Sequence, residues 1–473
     1  MNKSFLLTLS LCCLVLFQGC LARFNLEQRN ECQLERLSAL EPDTKIQCEA
    51  GYIESWNPNH DQFQCTGVAV VRRTIEPKGL LLPHYSNAPQ LMYIVQGRGM
   101  TGALFSGCPE TFQESQQSRG GSQDQDQHQK IRHFRRGDVI ALPAGVAHWC
   151  YNDGNENVVM VNVLDTTNIG NQLDTNPRHF YLAGNPEDEF KQLSERPREG
   201  RQQPFTRRHS QQSSCKNMFC GLSSSLIAEA FNINQDLARK LQSENDFRGS
   251  IVRVEGELSV VRPPRTQQEM SAQEEQSCRR RGGSCDNGAE ETFCTMRMKE
   301  NIADPSRADV FIPEVGRIST VNSHNLPILG FIKLSASHVV LRNDAVRLPH
   351  WHMNAHSIIY CLEGQATIQV SDENGNRVFD GTLREGQVLA VPQNFVMVKR
   401  AECDRFEYVA FNTNENAMTS DLAGRTSAFR AMPAEVIANA FQISREDAMR
   451  LKFGREETIL AMSRSRSGRR ADA

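Results

Sequence analysis

The chain has 473 residues, of which 39% are hydrophobic and 23% charged. That length exceeds one ordinary core, so two domains are the default, and the apolar content excludes a disordered chain. A formal net charge of −3 gives no electrostatic reason to bind nucleic acid or an anionic membrane.

Residues 1–22 read as a secretory signal peptide. Lys3 gives a positive start, and residues 5–17 form a run of signal-core length that is too short for a bilayer span. Cleavage after Ala22 competes with lipid anchoring at Cys20, which the bulky Phe17 disfavours. No later stretch is long and apolar enough to cross a membrane. Fifteen cysteines, with Cys12, Cys13 and Cys20 inside the signal, are compatible with disulfides on a secretory route. The mature chain has no Asn-x-Ser/Thr sequon.

The next segments read as strands. VAVVRRTIEP, LMYIVQG and VIALPAG alternate or cluster β-branched residues between Gly and Pro punctuation. Residues 113–130 are glutamine-rich, without apolar periodicity, and read as a loop; residues 185–214 read as a second polar run. Ile227, Ala230, Phe231, Leu237 and Leu241 fall near helical spacing, with Asn234 as N-cap of a second short helix. A third polar run, 262–287, follows.

The chain then repeats itself. PHYSNAPQLMYIVQGRG from Pro83 matches PHWHMNAHSIIYCLEGQ from Pro349, GDVIALPAG from Gly137 matches GQVLAVPQN from Gly386, and IAEAFNINQDLARKL from Ile227 matches IANAFQISREDAMRL from Ile437. Ser444 is the matching N-cap. The offset between copies shrinks along the chain, which places insertions in the first copy at the two polar runs.

Gly137, Pro143, Gly145, His148 and Asn152 are spaced as Gly-x5-Pro-x-Gly-x2-His-x3-Asn. The two glycines permit tight turns and the proline rigidifies one. This spacing is similar to the second motif of the cupin jelly-roll barrels. The expected fold is therefore mainly β: two tandem cupin jelly-roll β-barrels, each with a C-terminal helical extension. The domains are residues 23–261 and 288–473, joined by the polar linker 262–287.

The string SCDNGAEETFCTMRMKENI surrounds Asn287 and Gly288. Asn-Gly alone is a common surface turn, but the whole string resembles the processing site of 11S (legumin-type) seed storage globulins. There an asparagine-specific endopeptidase cuts between Asn and Gly. Ala289 stands where the family has leucine. The resemblance, with the duplication and the motif, covers residues 23–460. It implies a Cys108–Cys294 bridge between the halves and a Cys32–Cys65 bridge within the first. It also implies trimers of uncut chains, hexamers of cut ones, and a route through the endoplasmic reticulum to the protein-storage vacuole. Cys278 and Cys285 can pair across the linker; Cys48, Cys215, Cys220 and Cys403 are left unassigned.

Metal-binding cupins present three histidines and a carboxylate to one ion. The first copy offers only His84 and His148, since residues 85–90 hold neither His nor Glu, so His148 is expected as a hydrogen-bonded core residue. The second copy has His350, His352 and His356, whose even separations would place three imidazoles on one strand face for Zn²⁺ or Cu²⁺. Met397 replaces the fourth ligand and Asn394 the turn glycine, and a bend near Asn354 would break the spacing. There is no Gly-x-Ser-x-Gly elbow, phosphate-binding glycine loop or Cys-x-x-Cys pair. Cys150 and Cys361 are expected as buried, inert thiols. The expected function is a non-enzymatic store of nitrogen and carbon with no cofactor. The alternatives are a Zn- or Cu-dependent cupin enzyme and a small-ligand binding module.

Overall fold

The computed structural model describes residues 32, 34–108, 112–113, 127–190, 215–256, 258, 260 and 294–463. The signal segment, the Asn287–Gly288 bond, Cys278 and Cys285 lie outside the described residues. All paired strands are antiparallel, and they form two sheets in each half of the chain.

In the first half, one sheet runs in the order Thr44–Cys48, Gly51–Ser55, Val68–Ile75, Val158–Asp165, Gln90–Gln96, Asp138–Leu142, Lys299–Asn301. The facing sheet runs His179–Tyr181, Gly79–Ser86, Ala147–Tyr151, Arg98–Leu104, Ile131–Arg135, with Ile251–Arg253 also on Gly79–Ser86. The second half repeats this plan. One sheet runs Val310–Ile312, Gly316–Val321, Ser335–Arg342, Arg405–Asn412, Ser357–Glu363, Val388–Val391. The other runs Arg377–Arg384, Gln365–Ser371, Val396–Ala401, Ala345–His352, Thr419–Asp421, with Leu460–Met462 on Ala345–His352. Phe112–Gln113 and Gln127–His128 pair at the two ends of the glutamine-rich insertion.

Burial patterns show which sheets face each other across the molecule. Gln365–Ser371 alternates between buried and more exposed positions, as a strand with one wet face should. Val68–Ile75 is buried at nearly every position because both of its faces are covered. Its outer face belongs to a core that crosses the domain boundary: Trp56, Val70, Leu91 and Val139 pack with Leu326, Ile328, Ile332, Ile358, Val388 and Phe411. A polar seam accompanies it. Arg72 Nη1 donates to Tyr360 OH (3.1 Å) and Asn168 Nδ2 to the Ile332 carbonyl (2.9 Å). His338 Nε2 lies 2.7 Å from Glu407 Oε1, beneath the Tyr93 ring, and Arg405 also bonds Glu407.

Two arms cross between the domains in opposite directions. The Leu37 N–H bonds the Val378 carbonyl (2.8 Å), Leu40 and Val388 exchange both backbone bonds, and Leu37 is buried in the C-terminal domain's own core. In return, Lys299–Asn301 pairs with Asp138–Leu142 at the edge of the first domain's sheet, with Met298 and Ile302 buried beside it. Lys299 Nζ reaches Asp138 Oδ2 at 2.8 Å. Cys108 is bonded to Cys294, Cys32 to Cys65, and Cys215 to Cys220.

The helices follow their caps. Asn234 accepts from the Leu237 N–H to start Gln235–Gln242, and Ser444 accepts from the Asp447 N–H to start Arg445–Phe453. Ile227 and Ile437 are buried, whereas Phe231 and Phe441 are 56% and 54% exposed, so each helical extension leaves an apolar face open. The polar run 185–214 begins inside the fold. Glu189 and Phe190 are buried, because Arg73 inside the domain supplies the carboxylate's partner.

Two outcomes follow from the seam and the arms. After cleavage at Asn287–Gly288 and reduction, the halves should still co-elute on size exclusion and separate only in denaturant. Burial alone would raise the Glu407 carboxyl, but hydrogen bonds from His338 and Arg405 hold it down to about 2. A depressed carboxylate contributes stability above its unfolded pKa and loses it as pH falls through the folded one. Glu407→Gln should therefore cost about 3 kcal/mol at pH 7 in urea unfolding, because it removes the carboxylate that the buried His338 and the partly exposed Arg405 both bond. That deficit should shrink as pH falls toward 2.

Candidate functional site

The interior of each domain is where a cupin would work. In the first, antiparallel register sets His84 on Gly79–Ser86 directly opposite His148 on Ala147–Tyr151. Both histidines are fully buried and their rings stand 4.3 Å apart. His84 Nδ1 lies 2.9 Å from the Leu82 carbonyl, which can only accept, so the proton is on Nδ1 and Nε2 carries a lone pair. Neither His84 Nε2 nor His148 Nε2 has a hydrogen-bond partner. Around them sits a buried cluster that the local sequence did not announce. Arg73 Nη2 pairs with Glu189 Oε2 at 2.8 Å, Tyr181 OH donates to Glu189 Oε1 at 2.6 Å, and His179 Nδ1 lies 3.1 Å from Glu189 Oε2. Burial would raise Glu189, but Arg73 and His179 outweigh it and hold the carboxyl well below its usual range. Burial, with Arg73 and His179 beside it, pushes His148 down to about 3. Burial, with His148 and Arg73 next in weight, lowers His84 as well.

The rest of the motif is structural. Gly137 and Gly145 have φ of +86° and +76°, which an L side chain adopts only at a cost. Pro143 sits in the turn between Asp138–Leu142 and Ala147–Tyr151. Asn152 Nδ2 donates to the Ile75 and Glu156 carbonyls (2.9 and 2.8 Å), and its Oδ1 accepts from the Gly154 N–H.

In the second domain the three-histidine set does not assemble. Ala345–His352 carries His350 and His352, 6.1 Å apart, but the strand ends at His352. Asn354 turns the chain away, its side chain bonding the Asn416 carbonyl and the Met418 N–H. His356 Nδ1 then accepts from the Gln393 N–H at 3.1 Å, so its lone pair is already used. Among the described residues, no group of three or more His, Cys, Asp or Glu side chains is placed to hold a metal ion.

What stands beside His350 is a lysine. His350 Nδ1 donates to the Leu348 carbonyl (2.7 Å), leaving Nε2 to accept from Lys399 Nζ at 3.5 Å. Lys399 Nζ also lies 3.0 Å from Met397 Sδ and 5.3 Å from the Tyr408 ring centroid. Arg347, its cross-strand neighbour, is held by Asp421 at 2.6 Å. Burial and then Arg347 push Lys399 well below its ordinary value; burial and then Lys399 take His352 down to about 3. Cys150 and Cys361 are fully buried, and burial raises their thiols to about 11 and about 12, which withholds the nucleophilic thiolate.

The cupin family model matches residues 37–188 and 300–449. The chain is 57% identical to an 11S globulin seed storage protein of Carya illinoinensis, over 99% of both chains. It is 55% identical to that of Anacardium occidentale, over 98% of this chain and 100% of the other. The chain belongs to the 11S globulin seed storage proteins. The crystal structure of the coconut allergen cocosin superposes on this 11S globulin with a TM-score of 0.78 and 45% identity, covering 92% of this chain and 100% of that one. Procruciferin of Brassica napus gives 0.78 at 43%, covering 92% and 99%. Vicilin from tomato, 15% identical with a TM-score of 0.63, shares the fold. The relatives are stores rather than enzymes, and the name implies a secretory route and storage.

The pH response of this 11S globulin has a definite sign. His84, His148, His350 and His352 are all lowered by burial. The unfolded chain therefore takes up protons below about 6.5, where the folded chain does not, and stability falls as pH drops toward 3. Each group contributes at most about 1.4 kcal/mol per pH unit. In urea midpoints between pH 7 and pH 4, His148→Gln and His352→Gln should each flatten the slope.

Proposed function

We propose that this 11S globulin is a nitrogen and carbon reserve laid down in the seed protein-storage vacuole. It is carried there through the endoplasmic reticulum by the signal of residues 1–22. It is then cut between Asn287 and Gly288 by an asparaginyl endopeptidase, dividing the mature chain into 23–287, with its linker 262–287, and 288–473. Uncut chains assemble as homo- or hetero-trimers and cut chains as hexamers, with no cofactor.

The observation that carries this reading is the exchange of arms. The segment after the cut contributes Lys299–Asn301 to the first domain, and residues 37 and 40 bond the second. Together with the Cys108–Cys294 bridge, this lets one peptide bond be lost without loss of the fold. The open apolar faces at Leu226 and Phe231, and at Phe441 and Leu451, support self-assembly over a monomer.

Seed extract run with and without reductant tests the proposal. Without reductant one linked species is expected; with it, two chains, the smaller beginning at Gly288, both declining on germination. Asn287→Gln should stay uncut and sediment as the trimer. A smaller chain with another N-terminus, or a hexamer of uncut Asn287→Gln, would refute the processing scheme.

A further inference from the structure

Both domains keep part of a ligand set and both place a basic side chain against it. In the first domain that side chain is Arg73, neutralised by Glu189. In the second it is Lys399, at the position that Cys150 fills in the first copy of the aligned motif. Lys399 is 2% exposed and, among the described residues, has no carboxylate in its ion pairs or hydrogen bonds. Its partners are instead two soft donors. One is the Nε2 lone pair of His350, fixed by the Leu348 carbonyl on the far side of the ring, and the other is the thioether of Met397. His352 Nδ1, buried in the same interior, has no partner. An imidazole oriented through its second nitrogen, a thioether and a further free imidazole nitrogen form a donor set suited to a soft monovalent cation such as Cu(I).

We propose that Lys399 is a built-in occupant of this donor set. Its Nζ holds the position from which His350 Nε2 and Met397 Sδ would ligate a soft cation, and so keeps the second domain closed to metal. The lone pair that a metal would take is spent on a hydrogen bond from the protein itself. Binding a metal would first require withdrawing a buried amine from these two donors.

Cu(I) uptake by the full chain tests this, measured anaerobically by competition with a chromophoric Cu(I) chelator after alkylation of accessible thiols. Lys399→Ala should take up about one Cu(I) more per chain than the unsubstituted protein, through a soft imidazole–thioether site. The additional substitution His350→Ala should abolish that gain. Lys399→Ser, which keeps a polar group in the space, serves if the alanine variant does not fold, and should show the same His350-dependent gain. Equal uptake by the unsubstituted chain would overturn the proposal. So would a folded Lys399→Ala or Lys399→Ser chain that gains no Cu(I), or a gain that survives His350→Ala.

Discussion

The apolar core that runs from Trp56, Val70 and Leu91 to Ile332, Ile358 and Phe411 is the constraint on which the rest of the molecule depends. Each domain alone would expose one face of its inner sheet, and those faces are too large and apolar to leave wet. Packing them together buries the Val68–Ile75 strand on both sides. It also imposes a polar cost at the seam, which Glu407 meets in part by bonding His338 and Arg405, while the buried Tyr93 hydroxyl has no partner among the described residues. The arms complete the junction by supplying backbone bonds that neither sheet could make with its own strands.

Against that scaffold the two interiors have drifted apart. The first keeps a facing histidine pair and surrounds it with an arginine and a carboxylate drawn from distant strands. The second loses one histidine to a turn and another to Met397, and inserts a lysine. Both interiors are buried, and burial lowers the pKa of His84 and His148 in the first and of His350 and His352 in the second.

The motif residues were legible because their roles are local. A positive φ at Gly137 and Gly145 and the Asn152 turn bonds are set within a few residues, and local demands leave a local pattern. The helices at 224–242 and 434–453 were legible for the same reason, through Asn234 and Ser444. The Arg73–Glu189 pair was not. Its members come from a strand and a loop that nothing in the sequence brings together, and Glu189 sits at the start of a run that otherwise reads as polar. The even spacing of His350, His352 and His356 counts only on an unbroken strand, and the bonds of Asn354 end the strand at the bend the sequence offered as the alternative. Lys399 gave no signal either, since a lysine on a strand usually reads as solvent-facing.

The crossing of residues 34–40 also orders the birth of the molecule. These residues leave the ribosome well before the strands that receive Leu37 and Leu40, at Val378 and Val388. At about 5–20 residues per second, translation leaves this arm without its berth for roughly 20–70 s. A nascent chain in that interval displays Leu37 and the unclothed inner sheet together, an apolar surface that stays wet until its second half arrives.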